Sequence, residues 1–339
     1  MGGDSSNDEK FMRLALREAR RGVGRTSPNP AVGAVIVNGG RILAKGWHRK
    51  AGMPHAEIEA IRALKKPGDA KGATIYVTLE PCCSHGRTPP CTGAIVEAGF
   101  GRVVFGATDP NPAHAGRAVR ILETAGLAVT HGVLGDECAG LNEAFNHWVT
   151  TGLPLVIAKA GLSLDGRLTR PPGESQWLTS AASRADAMRL RAGVDAIIVG
   201  AETVRADNPR LTLRGVRGRQ PLRVVLTRSG RLPEGAFIFT DEHKERTLVA
   251  RGKGLRSVLR DLGKRGCTSV LIEGGGSVLG QAFDAGLVQR VVFYLAPLLC
   301  SGPHVIKGTG AGKSADAPRI MSPEFRRVGG DLVISGRIG

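Results

Sequence analysis

Apolar positions recur at helical and strand spacings through the first 150 residues. Phe11, Leu14, Ala15 and Ala19 fall on one face of a helix predicted over residues 11–21 and ending at Gly22. The following Thr26-Ser27-Pro28-Asn29-Pro30 is a rigid turn, because proline neither continues a helix nor permits one just before it. Strands are expected at residues 31–37, 41–47, 73–79, 102–108 and 127–132, with helices starting near His55, Cys91, Ala118 and Glu137. This alternation predicts a layered α/β sheet with helices on its faces. A helical stretch through Leu141, Phe145, Trp148 and Val149 then yields to Thr150-Thr151-Gly152-Leu153-Pro154, which divides the chain into residues 9–150 and 151–339.

In the second part, strands are expected over residues 155–160, 196–200 and 223–226, and a helix over 181–191 with Ser180 in the N-cap region. Val270-Leu271-Ile272-Glu273 enters Gly274-Gly275-Gly276, and a helix leaves it. Backbone N–H groups at such a helix start can approach a phosphate without Cβ obstruction. The G-x-G-x-x-G spacing of a dinucleotide fingerprint is not met, so a purely structural glycine turn stays open. No internal repeat joins the two parts.

Composition narrows the class. With 339 residues, 42% hydrophobic and 4% aromatic, the chain reads as globular with two cores, without an uninterrupted apolar run of membrane-spanning length. Residues 1–8 read as a disordered tail, not a signal peptide. Six cysteines in a chain this long argue for a reducing, cytoplasmic setting over a disulfide framework. The net charge of +17 is concentrated in residues 151–339, which carry +13 of it. The arginines are dispersed, without Lys-rich tracts or interleaved aromatics, which favours small phosphorylated ligands over nucleic acid.

The chemistry concentrates in Pro54-His55-Ala56-Glu57, Glu80-Pro81-Cys82-Cys83 and Thr88-Pro89-Pro90-Cys91. His55, Cys82 and Cys91 offer one imidazole and two thiols, a tetrahedral zinc set with a fourth place for water. Glu57 reads as the carboxylate that shuttles a proton, and Cys83 as a bystander. H-x-E with a later P-C and second cysteine is the pattern of zinc deaminases of nucleobases, although eight residues separate Cys82 from Cys91 where the common signature has two. Two other readings remain: a deaminase of bases in RNA with a basic RNA-binding second domain, and a non-catalytic zinc protein, which leaves Glu57 and the fourth position unexplained. Arg191 and Arg214 suit phosphate, since guanidinium matches its oxygens two at a time; solvated surface charge is the alternative.

Pro28-Asn29-Pro30-Ala31-Val32-Gly33, His55-Ala56-Glu57, Thr78-Leu79-Glu80-Pro81-Cys82, Gly86-Arg87-Thr88-Pro89-Pro90-Cys91 and Asp109-Pro110-Asn111-Pro112 together resemble the bifunctional riboflavin-biosynthesis deaminase-reductases, long inter-cysteine loop included. The resemblance covers nearly the whole chain. It implies an N-terminal cytidine-deaminase-like three-layer α/β/α domain and a C-terminal dihydrofolate-reductase-like α/β domain. It implies zinc on His55, Cys82 and Cys91 with Glu57 as proton shuttle, and a phosphoribosyl pyrimidine held by Asn29, Arg87, Thr88, Asp109 and Asn111. For the second domain it implies NADPH near Gly161, Trp177, Thr203, Asp207 and Gly275, Gly276, Ser277, Val278 and Leu279. The phosphoribosyl substrate is implied near Ser175, Arg191, Leu211, Arg214 and Glu273. A homo-oligomer without nucleic-acid or membrane partners is the expected assembly. One position departs from the family pattern: Ser84 stands where members commonly have His, and His85 follows one place later.

Overall fold

The computed structural model describes residues 3–84, 89–112, 114–168, 177–302 and 304–339, and the chain divides into two units, Met1–Thr151 and Gly152–Gly339. In the first unit α1 (Gly3–Ala19) precedes the hairpin β1 (Gly33–Asn38) and β2 (Arg41–Trp47). Then come α2 (Ala56–Arg62), β3 (Thr74–Leu79), α3 (Cys91–Glu97), β4 (Arg102–Ala107), α4 (Arg117–Thr124), β5 (Ala128–His131), α5 (Gly135–Leu141) and α6 (Glu143–Thr151). Among the described residues the sheet order is β2-β1-β3-β4-β5, with β1 antiparallel to both neighbours and β3, β4 and β5 parallel.

Two glycines show how the layers stack. Side chains alternate across a strand, and directly paired residues share a face. Gly33 faces α1, where an added Cβ would come within 2.1 Å of the Ala15 carbonyl oxygen. Gly46 pairs with Ala34, the next residue along β1, and its Cβ would come within 2.3 Å of the Ala56 carbonyl oxygen in α2. The two helices therefore lie on opposite faces, as the expected α/β/α arrangement requires.

The disordered tail expected over residues 1–8 is corrected for residues 3–8, because helix α1 begins at Gly3. Asp8 is the physical reason. It is buried, and its carboxylate accepts from both terminal nitrogens of Arg102, at 3.0 and 2.7 Å, and from the Tyr76 hydroxyl at 2.8 Å. The single helical stretch expected through residues 141–149 is likewise divided. Buried Asn142 sits between α5 and α6 and exchanges two hydrogen bonds with the Ala31 backbone, at 2.8 and 3.0 Å.

The second unit contains β6 (Leu155–Ser163), α7 (Ala181–Ala192), β7 (Ala196–Gly200), α8 (Ala201–Asp207), β8 (Leu222–Thr227), α9 (Phe237–Thr240) and β9 (Thr247–Arg251). It continues with α10 (Leu255–Lys264), β10 (Ser269–Glu273), α11 (Gly276–Asp284), β11 (Arg290–Ala296), β12 (Ile320–Val328) and β13 (Asp331–Ile338). Among the described residues the sheet order is β12-β13-β11-β6-β10-β7-β8-β9. Pairing is parallel from β11 across to β9 and antiparallel at β13 and β12. Ile197, Val225 and Leu271 enter one core and Ile198, Val224 and Ile272 the other, so helices cover both faces of the central strands. That double burial is why these strands read as continuous apolar runs. Ser180 caps α7 by accepting from the Ser183 N–H at 3.2 Å.

Candidate functional site

In the first unit the candidate metal ligands come from three different places in the sequence. His55 is the residue before α2, Cys82 follows β3, and Cys91 opens α3. Their ligand atoms lie within 4.8 Å of one another, with His55 Nδ1 3.5 Å from Cys82 Sγ and 3.3 Å from Cys91 Sγ. Tetrahedral zinc bonded to nitrogen at about 2.0 Å and sulfur at about 2.3 Å sets those atoms roughly 3.5 Å apart. The three side chains therefore fit the ion. Cys83 is outside this cluster.

The electrostatics agree with a metal-ligand set. Cys82 is pulled down to about 4 by hydrogen bonding from Cys91 and His55 against the cost of burial, whereas the same Cys82 contact and burial push Cys91 up. The Cys91 backbone N–H also donates to Cys82 Sγ at 3.3 Å, favouring the thiolate. Glu57, in the first turn of α2, is buried; burial and then the Cys82 charge push its carboxyl up, while a Cys91 hydrogen bond opposes them.

The expected substrate residues gather around the same place. Asp109 and Asn111 lie in the loop after β4, which Glu80 pins by accepting from the N–H groups of Asp109, Gly116 and Ala118 at 3.2, 3.0 and 3.0 Å. Asp109 in turn accepts from the Asn111 N–H at 2.9 Å. Asn29 meets buried His48, whose ring is edge-on to His55 at 5.4 Å. His48 was not singled out in the sequence; it follows β2 with no motif around it, and only the sheet carries it to His55. Arg87, Thr88 and His85 lie outside the described residues. Ser84 is described, and its Oγ is 3.5 Å from His114 Nδ1.

In the second unit a cavity of about 580 Å³ collects most of the residues expected there. Gly161, Trp177, Thr203, Asp207, Gly275, Gly276 and Ser277 line it, as do Arg191, Leu211, Arg214 and Glu273. Val278 and Leu279 do not: they turn into the core on the apolar face of α11, as helical periodicity dictates. Ser175 lies outside the described residues. Gly274 and Gly275 take φ of +110° and +67°, and a Cβ on Gly276 would come within 2.4 Å of the His304 carbonyl oxygen. This bare turn, opening α11 beside Lys307, fits a phosphate-bearing cofactor.

Glu273 is the electrostatic centre of the cavity. Arg191 binds it through two nitrogens at 2.5 and 2.8 Å, and Lys159 Nζ lies 3.5 Å away. Burial pushes its carboxyl up, but Arg191 and Lys159 outweigh burial and hold it at about 2. Lys159 went unnoticed in the sequence. A lysine inside the apolar strand 155–163 was the available signal, since lysine is rarely buried without a partner.

Residues 5–107 match the cytidine and deoxycytidylate deaminase zinc-binding region, and residues 154–334 match the RibD C-terminal domain. The riboflavin biosynthesis protein RibD of Bacillus amyloliquefaciens is 39% identical over 97% of this chain and 95% of its own length. The chain belongs to the RibD family. RibD of Acinetobacter baumannii superposes with a TM-score of 0.91 at 36% identity, covering 99% of each chain. A Thermotoga maritima protein, described as a diaminohydroxyphosphoribosylaminopyrimidine deaminase/5-amino-6-(5-phosphoribosylamino)uracil reductase, superposes with a TM-score of 0.89 at 34% identity, covering 99% of this chain and all of its own. RibD membership makes this a bifunctional deaminase and reductase of riboflavin biosynthesis, with zinc and NADPH as its cofactors. The alternative of an RNA-binding second half gives way, because that half is the RibD reductase domain. Among the described residues no helix is long and apolar enough to cross a membrane.

Proposed function

We propose that the first unit hydrolytically deaminates diaminohydroxyphosphoribosylaminopyrimidine, and that the second reduces the ribosyl group of 5-amino-6-(5-phosphoribosylamino)uracil to a ribityl chain with NADPH. The observation that carries the first half is the meeting of His55, Cys82 and Cys91 beside buried Glu57. Zinc held by these three supplies Lewis acidity and an activated water. Glu57 takes up the water proton and returns it to the departing amine; its raised carboxyl pKa suits both directions of transfer. Asn29, oriented by His48, holds the pyrimidine, and Asp109 and Asn111 hold the ribose side, with Arg87 and Thr88 completing the binding set.

In the second unit NADPH supplies the hydride. Gly161, Trp177, Thr203, Asp207 and the turn at Gly275, Gly276 and Ser277 form the cofactor side; Arg191, Leu211, Arg214 and Glu273, with Ser175, form the substrate side. Lys159, held by Glu273 and lying 5.8 Å from the Tyr294 ring centroid, is the proton donor to the ribose oxygen.

Cytoplasmic localisation is supported by six cysteines that are all free. Homo-oligomerisation is supported by Phe325 and Leu332, exposed on the outer strands β12 and β13; sedimentation velocity tests it.

The deciding experiment follows ammonia and NADPH oxidation together on zinc-loaded protein given the diaminopyrimidine ribosyl phosphate. Wild type is expected to release ammonia and then oxidise NADPH. Glu57→Gln is expected to release none, yet to oxidise NADPH when given the deaminated uracil. Full ammonia release by Glu57→Gln refutes the mechanism.

A further inference from the structure

The zinc site has beside it an imidazole that no sequence motif pointed to. His114 lies in the loop between β4 and α4, half-buried, with Nδ1 3.5 Å from the Oγ of exposed Ser84. Ser84 is two residues past the ligand Cys82 and stands where family members commonly have His. A ring missing from that position is therefore brought to its side by another loop, 30 residues further along the chain. Among the described residues no hydrogen bond reaches His114 Nε2.

The backbone that carries the ring is fixed from the zinc site itself. Glu80, two residues before Cys82, accepts from the N–H groups of Asp109 and Gly116, on either side of His114. Within that span the Asn111 carbonyl accepts from the His114 N–H at 2.8 Å and the Ala115 N–H at 3.0 Å, and the His114 carbonyl accepts from the Arg117 N–H at 3.1 Å. The strand end that supplies one zinc thiol thus also sets the position of His114. Burial pushes the Asp109 carboxyl up, and the Asn111 N–H and then His114 oppose it, so the ring stands near the acid assigned to the ribose side. With the Ser84 hydroxyl donating to Nδ1, the ring proton sits on Nε2, which then donates to an oxygen acceptor. The 3.5 Å contact is long, so Ser84 guides the ring without locking it.

We propose that His114 is a substrate-binding residue of the deaminase, donating from Nε2 to an oxygen of the ribosyl phosphate, and that Ser84 is a positioning residue that sets its tautomer. The β4–α4 loop supplies the imidazole in place of the segment that follows Cys82. The proposal rests on the deamination reading and deepens it.

Steady-state ammonia release from the diaminopyrimidine ribosyl phosphate is measured on the full zinc-loaded chain. The proteins are wild type, His114→Ala, His114→Gln, Ser84→Ala, and the double variant Ser84→His with His114→Ala. His114→Ala is expected to raise KM about tenfold while kcat, zinc content and thermal midpoint keep their wild-type values. His114→Gln, whose amide nitrogen reaches the place of Nε2, restores most of the affinity, and Ser84→Ala raises KM by about twofold. The double variant returns KM toward wild type, because the ring is put back on the other loop. An unchanged KM in His114→Ala, a fall in kcat or zinc content in place of the KM change, or no recovery in either His114→Gln or the double variant overturns the proposal. A KM raised by His85→Ala and untouched by His114→Ala overturns it as well and gives the role to His85. Wild type that releases no ammonia overturns the deamination reading itself, and is seen before any variant is made.

Discussion

The side-chain amide of Asn29 donates to Nε2 of His48 across 3.1 Å, while His48 Nδ1 donates to the Pro54 carbonyl at 3.0 Å. The carbonyl can only accept, so the proton sits on Nδ1 and Nε2 is left to receive the amide. Burial lowers the pKa of His48, with the charge of His55 acting the same way, which keeps the ring neutral and that tautomer in place. Pro54 directly precedes the ligand His55, so one imidazole ties the Asn29 turn to the metal-site segment.

Replacing His48 by Ala frees the Asn29 amide to rotate. The KM for deamination is expected to rise about tenfold, the loss of one oriented hydrogen bond, while zinc content stays at one per chain. Steady-state ammonia release with metal analysis of the same samples checks this. An unchanged KM removes His48 from the site.

The buried cluster at Glu273 gives the reductase unit an acid-dependent stability. The folded-state pKa is about 2 against an ordinary 4.5, so the unfolded chain takes up the proton first as pH falls. The contribution, on the order of 3 kcal/mol, is complete above about pH 5 and drains away as the pH falls toward 2. Urea unfolding at pH 7 and pH 3, followed by circular dichroism, is expected to lose this increment in wild type. Glu273→Gln is expected to be destabilised already at pH 7, with two unmatched cations, and to show a shallower acid slope. Equal slopes in the two proteins contradict the assignment.

Asp8 makes the start of the chain part of the first unit. Asp8→Ala removes the carboxylate to which Arg102 and the Tyr76 hydroxyl donate and is expected to destabilise that unit by about 2 kcal/mol, discounted for the partial exposure of Arg102. Thermal unfolding of the variant measures it. A midpoint equal to wild type restores the disordered tail.

Much of the fold was legible because local pattern and final structure agree. The strand at residues 41–47 and the strand at 196–200 have the expected bounds, since apolar alternation and continuous apolar runs report sheet burial directly. The polar start of the chain misled because it contains little apolar surface, and its order comes from one buried acid meeting Arg102, 94 residues away. The strands β11, β12 and β13 left weaker signals, since much of β12 faces outward.

The residues by themselves determined the chemistry of the first unit: an imidazole, two thiols and a carboxylate at these spacings imply zinc and a proton shuttle, whereas the glycine turn after an apolar strand left a structural reading open beside a phosphate-binding one. Only the tertiary structure decided which groups act together. It set His48 against His55 and Asn29, and fastened Arg191 and Lys159 to Glu273. The physical reason is that metal coordination demands particular atoms, which composition and spacing reveal. Charge compensation depends on distance through space, and that is fixed only when the strands pair.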